Sequence, residues 1–244
     1  MPHNYFDEPV AARYDEDAAE LFSSEAIDPV VDRLVGLTGE GGSALEFAIG
    51  TGRIGVPLSS RGIRVRGIDL SAEMVARLRK KPGADAIEVV IGDIATSKID
   101  ETFDLVYLVF NTIGNLTTQD AQVAVFCNAA AHLRPGGCFV IEVMVPQLQR
   151  LPRGEKFVPF DVSDSHIGID EYDVVTQGLV SHHYTKVDGV FQYVAMPFRN
   201  VWPAELDLMA RIAGMRLRDR WGGWRGEPFT AESVQHVSVW EKSA

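Results

Sequence analysis

Cysteine is scarce. The chain has two in 244 residues, Cys127 and Cys138, with no metal-ligand spacing between or around them. That excludes a disulfide framework, and both thiols are expected to be buried in a reducing compartment. Long apolar runs are missing too. None approaches the roughly 18 residues that cross a bilayer, and Met1–Glu8 has no basic stretch followed by an apolar one. Neither a membrane span nor a secretory signal is expected, so the chain reads as cytoplasmic. Positive charge is in deficit: 23 Lys and Arg stand against 34 Asp and Glu, a net charge of −11. An acidic surface repels phosphate backbones, so nucleic acid and anionic membranes are not expected as partners. What is present is 46% hydrophobic and 23% charged residues, enough for a layered core in one domain.

The patterning alternates. Residues from about 9 to 37 have helical spacing in two pieces, with a break expected at Asp28-Pro29 as an N-cap followed by proline. Apolar strands at Ser43–Ile49, Ile63–Ile68, Ala86–Ile91, Phe103–Phe110 and Cys138–Val145 alternate with helical stretches at Pro57–Ser60, Ser71–Lys80 and Thr117–Leu133. Continuously apolar strands between helices predict a parallel sheet covered on both faces. After Pro146 the rhythm changes to short β-rich runs at Val174–Gln177, Leu179–Lys186 and Val190–Pro197, with Asp188-Gly189 as a turn pair. Helical spacing returns at Pro203–Ala213, then strands at Met215–Arg220 and Val234–Trp240. The expectation is one α/β domain over 1–244. It comprises an N-terminal helical cap at 1–40, a core at 41–145, an antiparallel β insertion at 146–202, and a final helix and β-hairpin at 203–244.

Gly50-Thr51-Gly52-Arg53-Ile54-Gly55 fits G-x-G-x-x-G, and Asp69 follows about 20 residues on, as a dinucleotide fingerprint asks. Two ligands compete for such a turn: a nicotinamide dinucleotide, or an adenosine without phosphates. Three features favour the second. Glu46 places a carboxylate inside the first strand, suited to a ligand ammonium group. Asp93, directly after Gly92, ends the third strand as Asp69 ends the second, putting two acceptors at successive strand ends in the crevice where α/β sheets bind ligands. One suits ribose hydroxyls, the other an adenine amino group. Finally, there is no basic cradle for a pyrophosphate, nor a Tyr-x-x-x-Lys pair after the fourth strand. Asp69 has a second reading, as a cap of the following helix, for which Ser71 competes.

These residues resemble the motifs of class I S-adenosylmethionine-dependent methyltransferases over roughly 40–145. Leu45–Arg53 resembles the first motif, Ile68–Ser71 with Met74 the second, Gly92-Asp93-Ile94 the third, and Leu133–Gly137 the turn before the fifth strand. Ala48 stands where the family pattern often has its first glycine. The resemblance implies a Rossmann-like, doubly wound, seven-stranded, mostly parallel sheet with an antiparallel last strand. It also implies S-adenosyl-L-methionine as cofactor. The methionyl part would lie over Glu46, Ala48, Gly50 and Gly52, and the ribose on Asp69. The adenine would lie between Leu70 or Met74 and Ile94 with its amino group at Gly92-Asp93, and Phe110 and Asn111 would border the sulfonium. The antiparallel strands late in the chain, with Phe110–Leu116 and Val180–His183, are loosely similar to the amino-sugar and natural-product branch, which implies a small-molecule acceptor methylated on N or O.

Acceptor-site candidates lie outside the cofactor motifs. Tyr14, His182 and His183 are the expected catalytic residues, with Tyr5, Asn111, Asn115, His166, Tyr172, Arg199, Trp221 and Trp224 as further candidates. Adjacent His182 and His183 on a strand must point to opposite faces, so with His166 and Asp170 they make a poor chelating set, and no metal is expected. Trp221-Gly222-Gly223-Trp224-Arg225 reads equally as a pocket wall or a tight turn. His132 reads as a helix-terminus cation, and Asp15-Glu16-Asp17 as a solvated helix face. A homodimer is compatible with the sequence. Two other functions stay open: an NAD(P)-dependent oxidoreductase and a non-catalytic nucleoside-binding module.

Overall fold

In the computed structural model, which describes residues 4–243, two helices precede the sheet: α1 (Glu8–Asp17) and α2 (Ser24–Thr38). Met1–His3, part of the stretch read as lacking a signal, and Ala244 lie outside the described residues. The break between the helices falls at Ala18–Ser23, not at Asp28-Pro29. Ser23 is the N-cap, its Oγ accepting from Ala26 N at 3.3 Å, and Pro29 rides inside α2. Proline there forfeits a single helical hydrogen bond, and the buried stripe Ile27, Val30, Val31 and Leu34 runs on past it. Burial outweighs the local break.

The chain then lays down β1 (Ser43–Phe47), α3 (Gly55–Ser60), β2 (Arg64–Asp69), α4 (Ala72–Leu78), β3 (Glu88–Ile91), β4 (Phe103–Leu108), α5 (Gln119–His132) and β5 (Leu133–Met144). After β5 come β6 (Phe157–Val162), β7 (His166–Asp173), β8 (Gly178–Val187) and β9 (Val190–Arg199), then α6 (Pro203–Ile212), β10 (Met215–Trp221) and β11 (Gln235–Lys242). Seven strands form one sheet in the order β10-β11-β5-β4-β1-β2-β3. β11 runs antiparallel to both neighbours, and the other pairings are parallel. The order reverses between β1 and β4, which makes their carboxyl ends the switch point where open α/β sheets hold ligands. One face is covered by an apolar cluster that includes α5 and α6, the other by one that includes α2, α3 and Leu78 of α4. Among the described residues no helix is long and apolar enough to cross a membrane.

β6–β9 form a separate antiparallel sheet in sequential order. Val174–Gln177, expected as a strand, is instead the turn between β7 and β8. The Asp173 carboxylate accepts from Val175 N at 2.9 Å and Thr176 Oγ1 at 2.6 Å, and this local bonding competes with any ladder. β6 and β7 escaped the pattern because Pro159 interrupts one, where the register shifts, and charged residues dominate the other. The Asp188-Gly189 turn holds, with both residues at positive φ (50° and 81°), as a two-residue hairpin requires.

Two side chains depart from expectation. Cys127 is exposed on α5, while Cys138 is buried. His132 is not a terminal cation: its Nε2 accepts from Ile99 N at 2.9 Å, so the ring is neutral with its proton on Nδ1, donated to Asn128 O at 2.8 Å. The ring also packs edge-on against Phe47. His132→Ala leaves the Ile99 amide unsatisfied and opens a hole beside Phe47. We expect it to cost about 3 kcal/mol, read as a shifted urea midpoint at unchanged m-value.

Candidate functional site

Glu46 on β1 lies directly across the register from Tyr107 on β4, and the Tyr107 hydroxyl donates to Glu46 Oε2 at 2.9 Å. Both side chains are buried. Burial pushes the Glu46 carboxyl up to about 8, against the pull of Tyr107 and the Arg53 guanidinium. Gly55 makes room for it: a Cβ there would stand 2.7 Å from Glu46 Oε2. The turn out of β1 runs through Ala48, Gly50 and Gly52, at φ of 54°, 56° and 79°. At Gly52 a Cβ would also stand 2.9 Å from Leu78, so both torsion and space demand glycine.

Asp69 ends β2 with both carboxylate oxygens engaged, Oδ2 accepting from Gly50 N at 2.6 Å and Oδ1 from Ser71 N at 2.8 Å. Burial raises its pKa and the two N–H groups oppose that rise. It and Ser71 therefore share the turn. Ser71 Oγ caps α4 by accepting from Met74 N at 3.1 Å, and it donates to Phe6 O at 2.6 Å. Gly92 N donates to the Asp69 carbonyl at 2.7 Å, and Asp93 Oδ1 accepts from Ala95 N at 2.8 Å, closing the turn after β3. Leu70 is half-buried; Met74 and Ile94 are buried, with Met74 Cε packed toward Gly50.

The helical cap is fastened to this turn. Thr51 Oγ1 donates to Asp15 Oδ1 at 2.6 Å, and Lys81 Nζ reaches Asp15 Oδ2 at 2.5 Å. Asp15 is thus no solvated-face residue. Tyr14, one turn-face away, joins Glu46, Ala48, Gly50, Arg53 and Phe110 around a cleft of about 50 Å³. Burial raises the Tyr14 phenol's pKa, which keeps its proton and suits it to hydrogen bonding more than to proton abstraction.

On the far side of the cleft, Phe110 and Asn111 both adopt left-handed backbone (φ 60° and 56°). Glu142 on β5 holds them there. Its Oε2 accepts from Phe110 N at 2.8 Å, its carbonyl from Asn111 N at 3.1 Å, and Asn111 Oδ1 accepts from Met144 N at 3.1 Å. Arg53 stacks over the Phe110 ring at 5.1 Å. Strain of this kind, about 1–3 kcal/mol per residue, persists only where surrounding structure enforces it. Trp224 Nε1 donates to Glu142 Oε1 at 2.7 Å, so Trp224 reaches this loop only through Glu142. With Trp221 it lines a separate groove of about 790 Å³ along α2, not the cleft.

The structure separates the remaining acceptor candidates. His182 bonds Tyr193 Oη at 2.8 Å and Glu171 Oε2 at 3.2 Å, while His183 contacts His166 and Ser181 on the other face of β8. Arg199 is buried in a joint with Gln122 and Glu205, at 2.6 and 2.7 Å. Tyr172 is buried, Tyr5 exposed and Asn115 half-buried. Tyr107, Arg53, Asp15 and Glu142 were not candidate site residues in the sequence, where Arg53 was only part of the glycine turn and Asp15 only part of an acidic run. Only Tyr107 left a signal, as the polar-tipped residue within the apolar run that follows Asp104.

Two carboxyls in the walls and apolar side chains at Met74 and Ile94 suit an adenosine carrying an ammonium group and oppose a pyrophosphate. Fold and site define a class: α/β enzymes that hold a nucleoside cofactor at the β1/β4 switch point. Residues 44–137 match the family described as a methyltransferase domain. The chain is 30% identical over 243 residues, 94% of its length, to the cypemycin N-terminal methyltransferase of a Streptomyces species, covering 97% of that protein. It is similar to the solved CcbJ methyltransferase from Streptomyces caelestis, with TM-score 0.80 and 31% identity over 88% of this chain and 89% of that one. S-adenosylmethionine-bound CalS10, an amino pentose methyltransferase from Micromonospora echinaspora, shares the fold with TM-score 0.70 at 19% identity, covering 100% of both chains. The chain belongs to the S-adenosylmethionine-dependent methyltransferases.

Two outcomes follow. Ala48→Gly relieves about 1–2 kcal/mol of left-handed strain against a glycine entropy cost of about 0.5–1 kcal/mol. Denaturant unfolding is expected to show a net gain of about 0.5–1 kcal/mol. Glu46 keeps its proton to about pH 8 when folded, against an ordinary value of 4.5. Between those values the folded state binds more protons, so stability falls as pH rises. Glu46→Gln cannot ionise, and its stability relative to wild type should climb across that window and level off above it.

Proposed function

We propose that this enzyme methylates a primary or secondary amine nitrogen by direct in-line displacement. The observation that carries the reading is the buried pair of carboxyls, Glu46 and Asp69, flanking a turn that has glycine at positions 50 and 52. S-adenosylmethionine, when bound, supplies a methyl group on a cationic sulfur open to attack from behind. Glu46 would take the ammonium group, and ionises as it does so. Asp69 would take the ribose hydroxyls on the lone pairs its two amide donors leave free. Asp93 would accept from the adenine amino group, with Leu70, Met74 and Ile94 against the flat base. Phe110 and Asn111, fixed by Glu142, would form the rim toward the acceptor, with Tyr14 opposite.

An amine needs no more than a free lone pair and correct placement, and placement alone can supply on the order of 7–11 kcal/mol. The choice of nitrogen over oxygen is supported by the relative, aligned over nearly its whole length, that is named a cypemycin N-terminal methyltransferase, and by the amino pentose methyltransferase that shares the fold. The acceptor compartment would be bounded by α1, the loop after β4 and the second sheet.

Calorimetry with S-adenosylhomocysteine and with NAD tests the cofactor site: binding of the first alone is expected, and of the second alone would refute it. Binding should release protons below about pH 8, visible as buffer-dependent heats, and Glu46→Gln should abolish that dependence. Mass spectrometry after incubation with methyl-labelled cofactor and two amine probes, a short peptide with a free α-amine and a nucleotide-linked amino sugar, tests the acceptor. Label on oxygen, or on neither probe, would count against nitrogen.

A further inference from the structure

The second sheet carries a line of polar side chains that the cofactor site does not use. His166 Nδ1 lies 2.6 Å from Asp161 Oδ2, and His166 Nε2 lies 3.0 Å from His183 Nδ1. His183 Nε2 lies 3.1 Å from Ser181 Oγ, and Asp170 faces Ser181 directly across the β7 and β8 register, where the Ser181 hydroxyl pulls the pKa of its carboxyl down. Asp161, at one end, is 45% exposed, Ser181 is 6% exposed, and Asp170, at the other end, is half-buried. Phe160 covers the imidazole pair from one side.

Ser181 is the member of the line nearest the proposed acceptor compartment, and Asp170 lies across from it on β7, one strand farther from β9. Ser181 shares its face of the sheet with Leu179, whose partner Phe198 packs against Gly114 of the loop after β4. Two residues of strand, about 7 Å, separate that contact from Ser181. Gly114 in turn adjoins Asn111, at the rim of the cleft.

We propose that Asp170, Ser181, His183, His166 and Asp161 form a proton relay that carries the proton released by amine methylation from the acceptor to solvent. The proposal rests on the amine reading above. Once Asp170 has taken the acceptor's proton, its O–H donates to Ser181 Oγ, and with both imidazoles neutral and protonated on Nδ1 every bond points outward: Asp170 to Ser181, Ser181 to His183, His183 to His166, His166 to Asp161. The acceptor ammonium gives its proton to Asp170. Its freed lone pair forms the carbon–nitrogen bond as the carbon–sulfur bond breaks, the electron pair staying on sulfur. Asp170 passes its proton to Ser181, whose own moves to His183 Nε2. The Nδ1 proton of His183 moves to His166 Nε2, and His166, now a cation beside Asp161, loses a proton to water. One proton enters and one leaves.

The surroundings suit each end. Burial raises the Asp170 carboxyl, making it a better base, with the Ser181 hydroxyl and then His183 and His182 opposing that rise. Burial, then His166, lowers the His183 imidazole, so it stays neutral between transfers; Asp170 opposes this and His182 adds to it. β6 contributes Asp161, and from β9 the residues opposite Ser181 and His183 are the uncharged Met196 and Val194. Lys156 and Glu171 bond on the His182 face, away from the line.

Nitrogen-detected histidine NMR on the full chain tests the relay without an acceptor. His166 and His183 should titrate as a coupled pair with Nδ1–H tautomers when neutral, and Asp170→Asn should move the titration of His166, which it does not touch. Independent titration, or no response at His166, would overturn the proposal. With whichever amine probe wild type methylates, His166→Gln and His183→Gln should lower kcat about 10- to 100-fold near neutral pH. KM and S-adenosylhomocysteine affinity should be unchanged, and the loss should shrink at high pH. An unaltered kcat and pH profile in His166→Gln would also overturn it. If wild type binds S-adenosylhomocysteine but methylates neither probe, the amine reading fails and the relay fails with it.

Discussion

Asp69 bonds to three turns at once. Its two carboxylate oxygens take the amides of Gly50 and Ser71, and its carbonyl takes the amide of Gly92, so the loops leaving β1, β2 and β3 meet on one residue. A carboxylate so deeply placed is tolerable only because amide donors compensate its desolvation. The same bonds fix where the glycine turn lies relative to the two strand ends beside it. Move Asp69 and the Gly50 turn, the cap of α4 and the position of Asp93 all lose their common reference.

Around that hub the site is built under tension. Ala48, Phe110 and Asn111 all hold left-handed backbone without being glycine, and they sit at the ends of the two central strands. Glu142 fastens one side of this arrangement and the Glu46–Tyr107 pair underpins the other. Strain at the mouth is matched by dense packing beneath, where Phe47, Phe103, Phe126, Phe139 and Trp240 are almost wholly buried.

The parallel sheet and the cofactor motifs were legible because strand periodicity, glycine spacing and acidic strand ends are local properties. What was hidden is what depends on register or on distant segments. Asp15 reads as one charge in an acidic run until folding brings Thr51 and Lys81 beside it. Tyr107 gains meaning only once β1 and β4 are aligned, and His132 becomes an acceptor only because Ile99 arrives with a free amide. The separation of Trp221 and Trp224 from the cleft likewise depends on a distant segment, since it is α2 that packs beside the turn after β10.

The second sheet leaves and re-enters the molecule at nearly one spot. Met144, where β5 ends, is tied to Asn111, and the carbonyl of Arg199, where β9 ends, lies beside Gly114. A lobe hung from two adjacent anchors adds little closure entropy however long it grows, since that cost rises only with the logarithm of length. Its interior can therefore diverge, lengthen or be exchanged as a cassette while the hinge residues and the sheet beneath keep their shape.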